Sequence, residues 1–368
     1  MNLFPELEKR YTRDTLGARE AQRMAEFIAF GPVIFQTARI MLKLGIMDML
    51  RDSDNGLTID EVARRAGLSQ YAAKCLLEAS LCIGILLVDK DTDRFRISKT
   101  GWFLINDKAT RVNIDFNHDV NYLGWFNLEE ALTEGRPAGL KTLGDWPTVY
   151  EGLSSLPEHI QKSWFGFDHF YSDNSFDEAL QIVFATKPKT LLDVGGNTGR
   201  LALRCVAHDP DVRVTILDLP QQIGLMRANI DGKPGADRID GLGADLLDET
   251  TEMPSGRKFE AVWMSQFLDC FSEPQIVSIL RRAAKVMDTD SRLYIMETLW
   301  DRQRFEPAAL CLTLTSLYFT AIANGNSKMY HSEDMARLVA EAGLEIETIH
   351  DHLGHGHSIM VCRIPEKK

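Results

Sequence analysis

The chain has 368 residues, more than one small core accommodates, so two domains are expected. Hydrophobic residues make up 45%, charged residues 26% and aromatics 9%, a balance that excludes disordered, collagen-like and coiled-coil chains. A formal net charge of -12 opposes binding to phosphate backbones and anionic membranes, so neither nucleic acid nor membrane is an expected partner.

Residues 1–10 carry four charges and no apolar run of the kind a secretion signal needs, which points to a cytoplasmic protein. Residues 1–110 read as short helices ending in a hairpin, a winged-helix-like dimerisation domain. Ile40 to Leu50 has helical apolar spacing, and Thr58 caps a second helix that ends at Gly67. A third helix runs from Ser69 to Leu86, and two β-prone runs then flank a turn at Asp89 to Asp93. Helix, turn, helix and wing is an outline best known for reading DNA, but these 110 residues hold 16 Lys or Arg against 15 Asp or Glu. The would-be recognition helix offers only Lys74 and Glu78 as charges, which favours packing or dimerisation over DNA.

Residues 111–185 read as a helical linker rich in aromatics, among them Tyr150, Trp164, Phe165, Phe167 and Tyr171, which suit a core or a pocket for a flat ligand. Residues 186–368 alternate strands with helices and predict a mostly parallel sheet, an α/β Rossmann-like domain. Strands are expected at 191–195, 212–219, 238–247, 259–268 and 292–299. The last two, 344–353 and 357–364, are joined by Gly354-His355-Gly356, too short for a crossover, so they pair antiparallel. The uncharged stretch 307–327 contains Thr313, Thr315, Ser316 and Thr320 and reads as a buried helix beside a cavity instead of a membrane span.

The chemistry starts at Leu191-Leu192-Asp193-Val194-Gly195-Gly196-Asn197-Thr198-Gly199-Arg200, a strand passing through a glycine-rich turn into a helix. The G-x-G-x-x-G fingerprint fails at Asn197 and Arg200, which disfavours a pyrophosphate cradle. What is present is an acid near the tip of three successive strands, Asp193, Asp218 and Asp245. A carboxylate after the second strand suits a ribose diol, so the ligand is expected to be a nucleoside without a pyrophosphate.

These motifs, in this order, resemble the class I S-adenosylmethionine-dependent methyltransferases. More narrowly, the chain is similar to the two-domain small-molecule O-methyltransferases, with a winged-helix dimerisation domain before a Rossmann-like domain. LGIMDML, LTIDEVARRAGLS, LLDVGGNTG, LDLP, GLGADLL and AEAGLEIETI carry the resemblance along nearly the whole chain. It implies S-adenosylmethionine as cofactor, a small acceptor as substrate and a homodimer formed through the N-terminal domain. It also implies that Gly195, Gly196 and Gly199 pass the cofactor's methionine part, that Asp218 with Leu219 holds the ribose, and that Asp245 and Leu246 flank the adenine. Ser265 takes the family's polar position after the fourth strand.

The family's catalytic run Leu-His-Asp-Trp reads Leu268-Asp269-Cys270-Phe271 here, so Asp269 stands where a His base is usual. Glu297 matches an acid that orients that base, while a second such acid is replaced around Lys328-Met329-Tyr330. An aspartate near pKa 3.9 is a weak base for a phenol near 10 unless burial raises it. His169, in the aromatic linker, is a candidate substitute base. The leading expectation is O-methylation of a small aromatic hydroxyl, the alternatives being C- or N-methylation, non-methyl chemistry on the same cofactor, or a cofactor-sensing DNA-binding regulator. His350, His352, His355 and His357 lack a supporting carboxylate or Cys pattern, and no metal is expected.

Overall fold

The computed structural model describes residues 2–254 and 256–366. Its contacts divide the chain into two units, Asp14–Asp119 and Met1–Arg13 with Val120–Lys368. Residues 2–13 therefore belong with the C-terminal unit, where the Phe4 amide donates to the Asp301 carbonyl at 3.2 Å and the Arg302 guanidinium lies over the Phe4 ring.

Asp14–Asp119 is mainly helical. Helix Ile59–Ala66 starts in a capping box, in which Thr58 Oγ1 accepts from the Glu61 amide at 3.3 Å and Glu61 Oε2 accepts from the Thr58 amide at 2.8 Å. Such a box is worth on the order of 1 kcal/mol. Gly67, in left-handed conformation, ends that helix, and Ser69 caps helix Gln70–Cys82, shorter than the predicted 69–86 because Gly84 turns the chain. Strands β1 (Leu86–Asp89) and β2 (Arg94–Ile97) then pair antiparallel around a turn in which Asp89 Oδ1 accepts from the Asp91 and Thr92 amides. Met41, Ile46, Met47, Leu50, Leu77 and Phe95 fill the core of this unit.

The second unit is built on seven strands: β3 (Thr190–Val194), β4 (Arg213–Asp218), β5 (Ile239–Gly243), β6 (Ala261–Ser265), β7 (Arg292–Glu297), β8 (Glu345–Leu353) and β9 (His357–Arg363). Their order is β5-β4-β3-β6-β7-β9-β8, parallel except at β9, which runs antiparallel to both β7 and β8. Alternate side chains serve opposite faces, and both faces are covered. Leu192, Val194, Val262, Met264, Leu293 and Ile295 enter one core, while Leu191, Ala261, Trp263, Tyr294 and Met296 enter the other. Trp263 and Tyr294 are each 1% exposed, and truncating so large a buried ring costs about 3–5 kcal/mol.

Helix Glu306–Tyr318 and the wider turn Phe319–Ala323 that continues it form a stretch long and apolar enough to cross a membrane by composition. Within this unit Leu312, Tyr318, Phe319, Ala321 and Ile322 are buried while Leu310 and Leu314 face outward, so the expected buried helix is covered on one side only.

Candidate active site

The register of the parallel strands fixes the site. Val194 pairs with Leu217 on one side and Met264 on the other, and Leu217 pairs with Leu242, which aligns the tips of β3, β4, β5 and β6. Because β3 is followed on one side by β4 and flanked on the other by β6, the sheet's connections diverge there and open a crevice at the strand ends.

The turn after β3 borders that crevice. Gly195 has φ +75°, and a Cβ there would lie 2.4 Å from the Phe267 ring; a Cβ on Gly196 would lie 2.7 Å from Asp193 Oδ2 and 2.8 Å from Ile216 Cγ2. Only glycine lets the chain pass between these groups. Asn197 adopts φ 48° and its amide donates to Asp218 Oδ2 at 2.8 Å, while Asp218 Oδ1 accepts from the Leu219 amide at 2.7 Å. Asp218 thus ties the glycine turn to the end of β4. Burial raises its pKa against the pull of those two amides.

Asp193 lies beneath the turn, 2% exposed, and burial with the nearby Asp218 charge raises it to about 7. Asp245 is exposed two residues past β5, its Oδ1 accepting from the Leu247 amide, and Leu246 is buried with its carbonyl held by Arg282 at 2.6 Å. Ser265 ends β6 beside Met296 of β7. Next to it Gln266 takes φ 43°, a strained conformation for a side chain of its kind.

A second cluster adjoins this crevice. Asp269 sits in the short turn Leu268–Cys270 after β6 and is 5% exposed. Burial pushes its carboxyl up to about 7; the Cys270 thiol, donating to its Oδ1 at 3.5 Å, pulls it down, and the charge of Asp168 pushes it up. Glu297, at the end of β7, is 3% exposed and accepts the Phe267 and Leu268 amides on Oε1 at 3.1 and 2.8 Å. Its pKa is driven well up by burial and by Asp269, and its Oε2 has no hydrogen-bond partner among the described residues. The turn is pinned from outside: Asn324 Nδ2 donates to the Cys270 carbonyl at 2.6 Å and the Tyr330 hydroxyl to the Phe271 carbonyl at 2.7 Å.

Helix Glu158–Ser172 presents Trp164 and, one turn on, Asp168 to this cluster. Trp164 Nε1 donates to the Tyr318 hydroxyl at 2.8 Å, and Asp168 acts on both Tyr318 and Asp269. Tyr150, half-buried with its hydroxyl shielded beside Cys270, completes an aromatic wall. His169 lies on the neighbouring face of the same helix, with its ring 6.0 Å from that of Phe165. Met329, in the region of the replaced second acid, is buried with its sulfur accepting from the Thr298 hydroxyl at 3.4 Å. From the sequence alone Tyr150 and Trp164 stand only as members of an aromatic group and Cys270 only within the run Leu268–Phe271, while Asp168 and Tyr318 are not singled out. The C-terminal histidines are dispersed: His357 bonds Ser175, His355 stacks on Phe170 and His352 meets Phe4 edge-on.

Two family models match the chain, a Dimerisation2-like domain over residues 22–95 and an O-methyltransferase domain over residues 169–345. A mitomycin biosynthesis 6-O-methyltransferase of Streptomyces lavendulae is 25% identical over 84% of both chains. The apo methyltransferase SibL superposes with a TM-score of 0.69, at 23% identity, over 92% of this chain and 98% of its own. NcsB1, from neocarzinostatin biosynthesis, was solved with S-adenosylmethionine and 2-hydroxy-5-methyl naphthoic acid. It superposes with a TM-score of 0.65 at 19% identity, over 90% of this chain and 96% of its own.

The chain belongs to the S-adenosylmethionine-dependent O-methyltransferase family. It is a methyltransferase with S-adenosylmethionine as its cofactor. The crevice suits that molecule: Asn197 Oδ1 and Gln266 Oε1 are buried polar atoms with no hydrogen-bond partner among the described residues, and such atoms fit a polar ligand.

Proposed function

We propose that the enzyme methylates a hydroxyl on a small aromatic acceptor, with Asp269 as the general base. The observation that carries this reading is the buried Asp269 carboxyl, raised to about 7. A base is most effective when its pKa lies near the working pH, so burial removes the objection to an aspartate in the place of histidine. Glu297 positions it, by holding the two amides just ahead of it in the turn.

In the same reading Gly195, Gly196 and Gly199 admit the methionine part of the cofactor. Asp218 and Leu219 meet the ribose, since each Asp218 oxygen keeps a lone pair beyond its amide bond; Asp193 supports the turn from below. Asp245 and Leu246 flank the adenine, and Ser265 with Gln266 closes the crevice at β6. The cofactor supplies a methyl group on a sulfonium centre. Asp269 takes the hydroxyl proton as the new O–C bond forms and the C–S electron pair stays on sulfur. Trp164, Tyr150 and Tyr318 hold a flat ring by stacking and exclude water.

The unit Asp14–Asp119 is proposed to pair two copies. Helices Ala18–Ala29 and Gly31–Lys43 expose Met24, Ile28 and Val33, at 48%, 74% and 56%, and the match to a dimerisation domain covers them. The activity is tested by supplying methyl-labelled S-adenosylmethionine with a panel of phenols and naphthols and locating the label by NMR. A labelled methoxy group supports the reading; label on carbon or nitrogen alone refutes it.

A further inference from the structure

We propose, on the reading that Asp245 and Leu246 flank the cofactor's adenine, that Arg282 is a positioning residue that holds their loop ready for the base.

The loop needs such a support. Residues 244–254, which leave β5 at the crevice, form neither helix nor strand, and only Leu246 and Met253 among them are buried. A segment with so few buried contacts opens easily, and a ligand that had to order it on binding would lose affinity.

Arg282, on helix Glu273–Lys285, supplies the missing ties. It is 5% exposed, and each of its three nitrogens donates to a main-chain carbonyl. Nη2 meets Leu246 at 2.6 Å, Nη1 meets Asp248 at 3.1 Å and Thr251 at 2.8 Å, and Nε turns back to Ser278 of its own helix at 3.4 Å. One planar fork therefore fixes three carbonyls of the loop at once. The grip falls beside Asp245, whose Oδ1 accepts from the Leu247 amide at 2.9 Å, so the carboxylate and the peptide after it are both held. With its donors turned to main chain, the guanidinium acts on the loop and not on a ligand.

Neither a lysine nor the neighbouring surface pair does the same. An ammonium group is a compact charge without the fork, and it cannot span carbonyls set this far apart. One turn further on, Lys285 Nζ bonds Glu252 at 2.8 Å, but both side chains are more than half exposed, and such pairs contribute little. Lys285 thus provides a control on the same helix and the same loop.

The test measures S-adenosylhomocysteine affinity by calorimetry and hydrogen exchange by mass spectrometry in wild type, R282K, R282Q and K285A. Both arginine variants are expected to lose at least about fivefold in affinity and to exchange peptide 244–251 faster, while the glycine turn at 195–199 exchanges as in wild type. K285A is expected to match wild type in both measurements.

Wild-type affinity in the arginine variants overturns the inference, as does faster exchange spread equally over 195–199 and 244–251, since Arg282 then serves the fold at large. In wild type, S-adenosylhomocysteine that leaves exchange of 244–251 unchanged removes the adenine reading itself. Should neither arginine variant fold, the free wild-type protein decides. Protection of 244–251 by about tenfold or more over an unstructured chain supports a loop held in advance, and exchange at the unstructured rate overturns it.

Discussion

Replacing Asp269 by Asn is expected to stabilise the protein, increasingly so as pH rises. Asp269 is buried, and its pKa lies at about 7 in the fold against an ordinary 3.8. A carboxyl whose pKa is raised by folding contributes its stability in full below the unfolded value and loses it as pH climbs through the folded value. Between 3.8 and about 7 the loss accrues at about 1.36 kcal/mol per pH unit, up to about 4 kcal/mol in all. Asn keeps the shape without the charge. Relative to wild type, D269N should therefore gain about 2 kcal/mol between about pH 5.5 and 7 and then level off. Urea denaturation of both proteins, at a series of pH values, gives this difference. Because Asp193 is common to both, its own value of about 7 cancels. A constant difference across the series, or one that shrinks with rising pH, would refute the claim that Asp269 is buried and ionises late.

Asp218→Ala should weaken S-adenosylhomocysteine binding by at least about tenfold in calorimetry, because the ribose loses a charged acceptor and the glycine turn loses its tie through the Asn197 amide. Gly196→Ala drives a methyl into Asp193 Oδ2 and Ile216, and overpacking of this kind costs about 1–3 kcal/mol, readable as a lower denaturation midpoint. Glu297→Ala strands the buried Phe267 and Leu268 amides and should cost about 2–4 kcal/mol, whereas Glu297→Gln keeps an acceptor there and should fold with near wild-type stability. Equal losses in the two Glu297 variants would contradict the positioning role.

Much of the crevice is legible in the sequence because its signals are local. A strand, a glycine turn and an acid at the next strand's end fall within residues 190–218, and parallel register carries them to one edge. Asp193 shows the limit of that reasoning, since as a strand-tip acid it reads like Asp218, yet it lies buried under the turn. The acceptor side is hidden for a different reason. Trp164 bonds Tyr318 across 154 residues, and the charge of Asp168 acts on Asp269 from a separate helix; no spacing rule links such positions. On that same helix the His169 ring pairs with Phe165, while Trp164 bonds Tyr318. The ordinary pKa of aspartate likewise made Asp269 look unsuitable as a base. In the proposed role its burial in the pinned turn answers that objection.

The central claim is that Asp269 takes the acceptor's proton, and single-turnover methyl transfer to phenols of graded acidity tests it most directly. On weakly acidic phenols D269N is expected to fall about 10²- to 10⁴-fold below wild type, and on phenols already ionised at the assay pH the two enzymes should converge. A loss that is the same for every phenol, or no loss at all, would show that the proton leaves by another route.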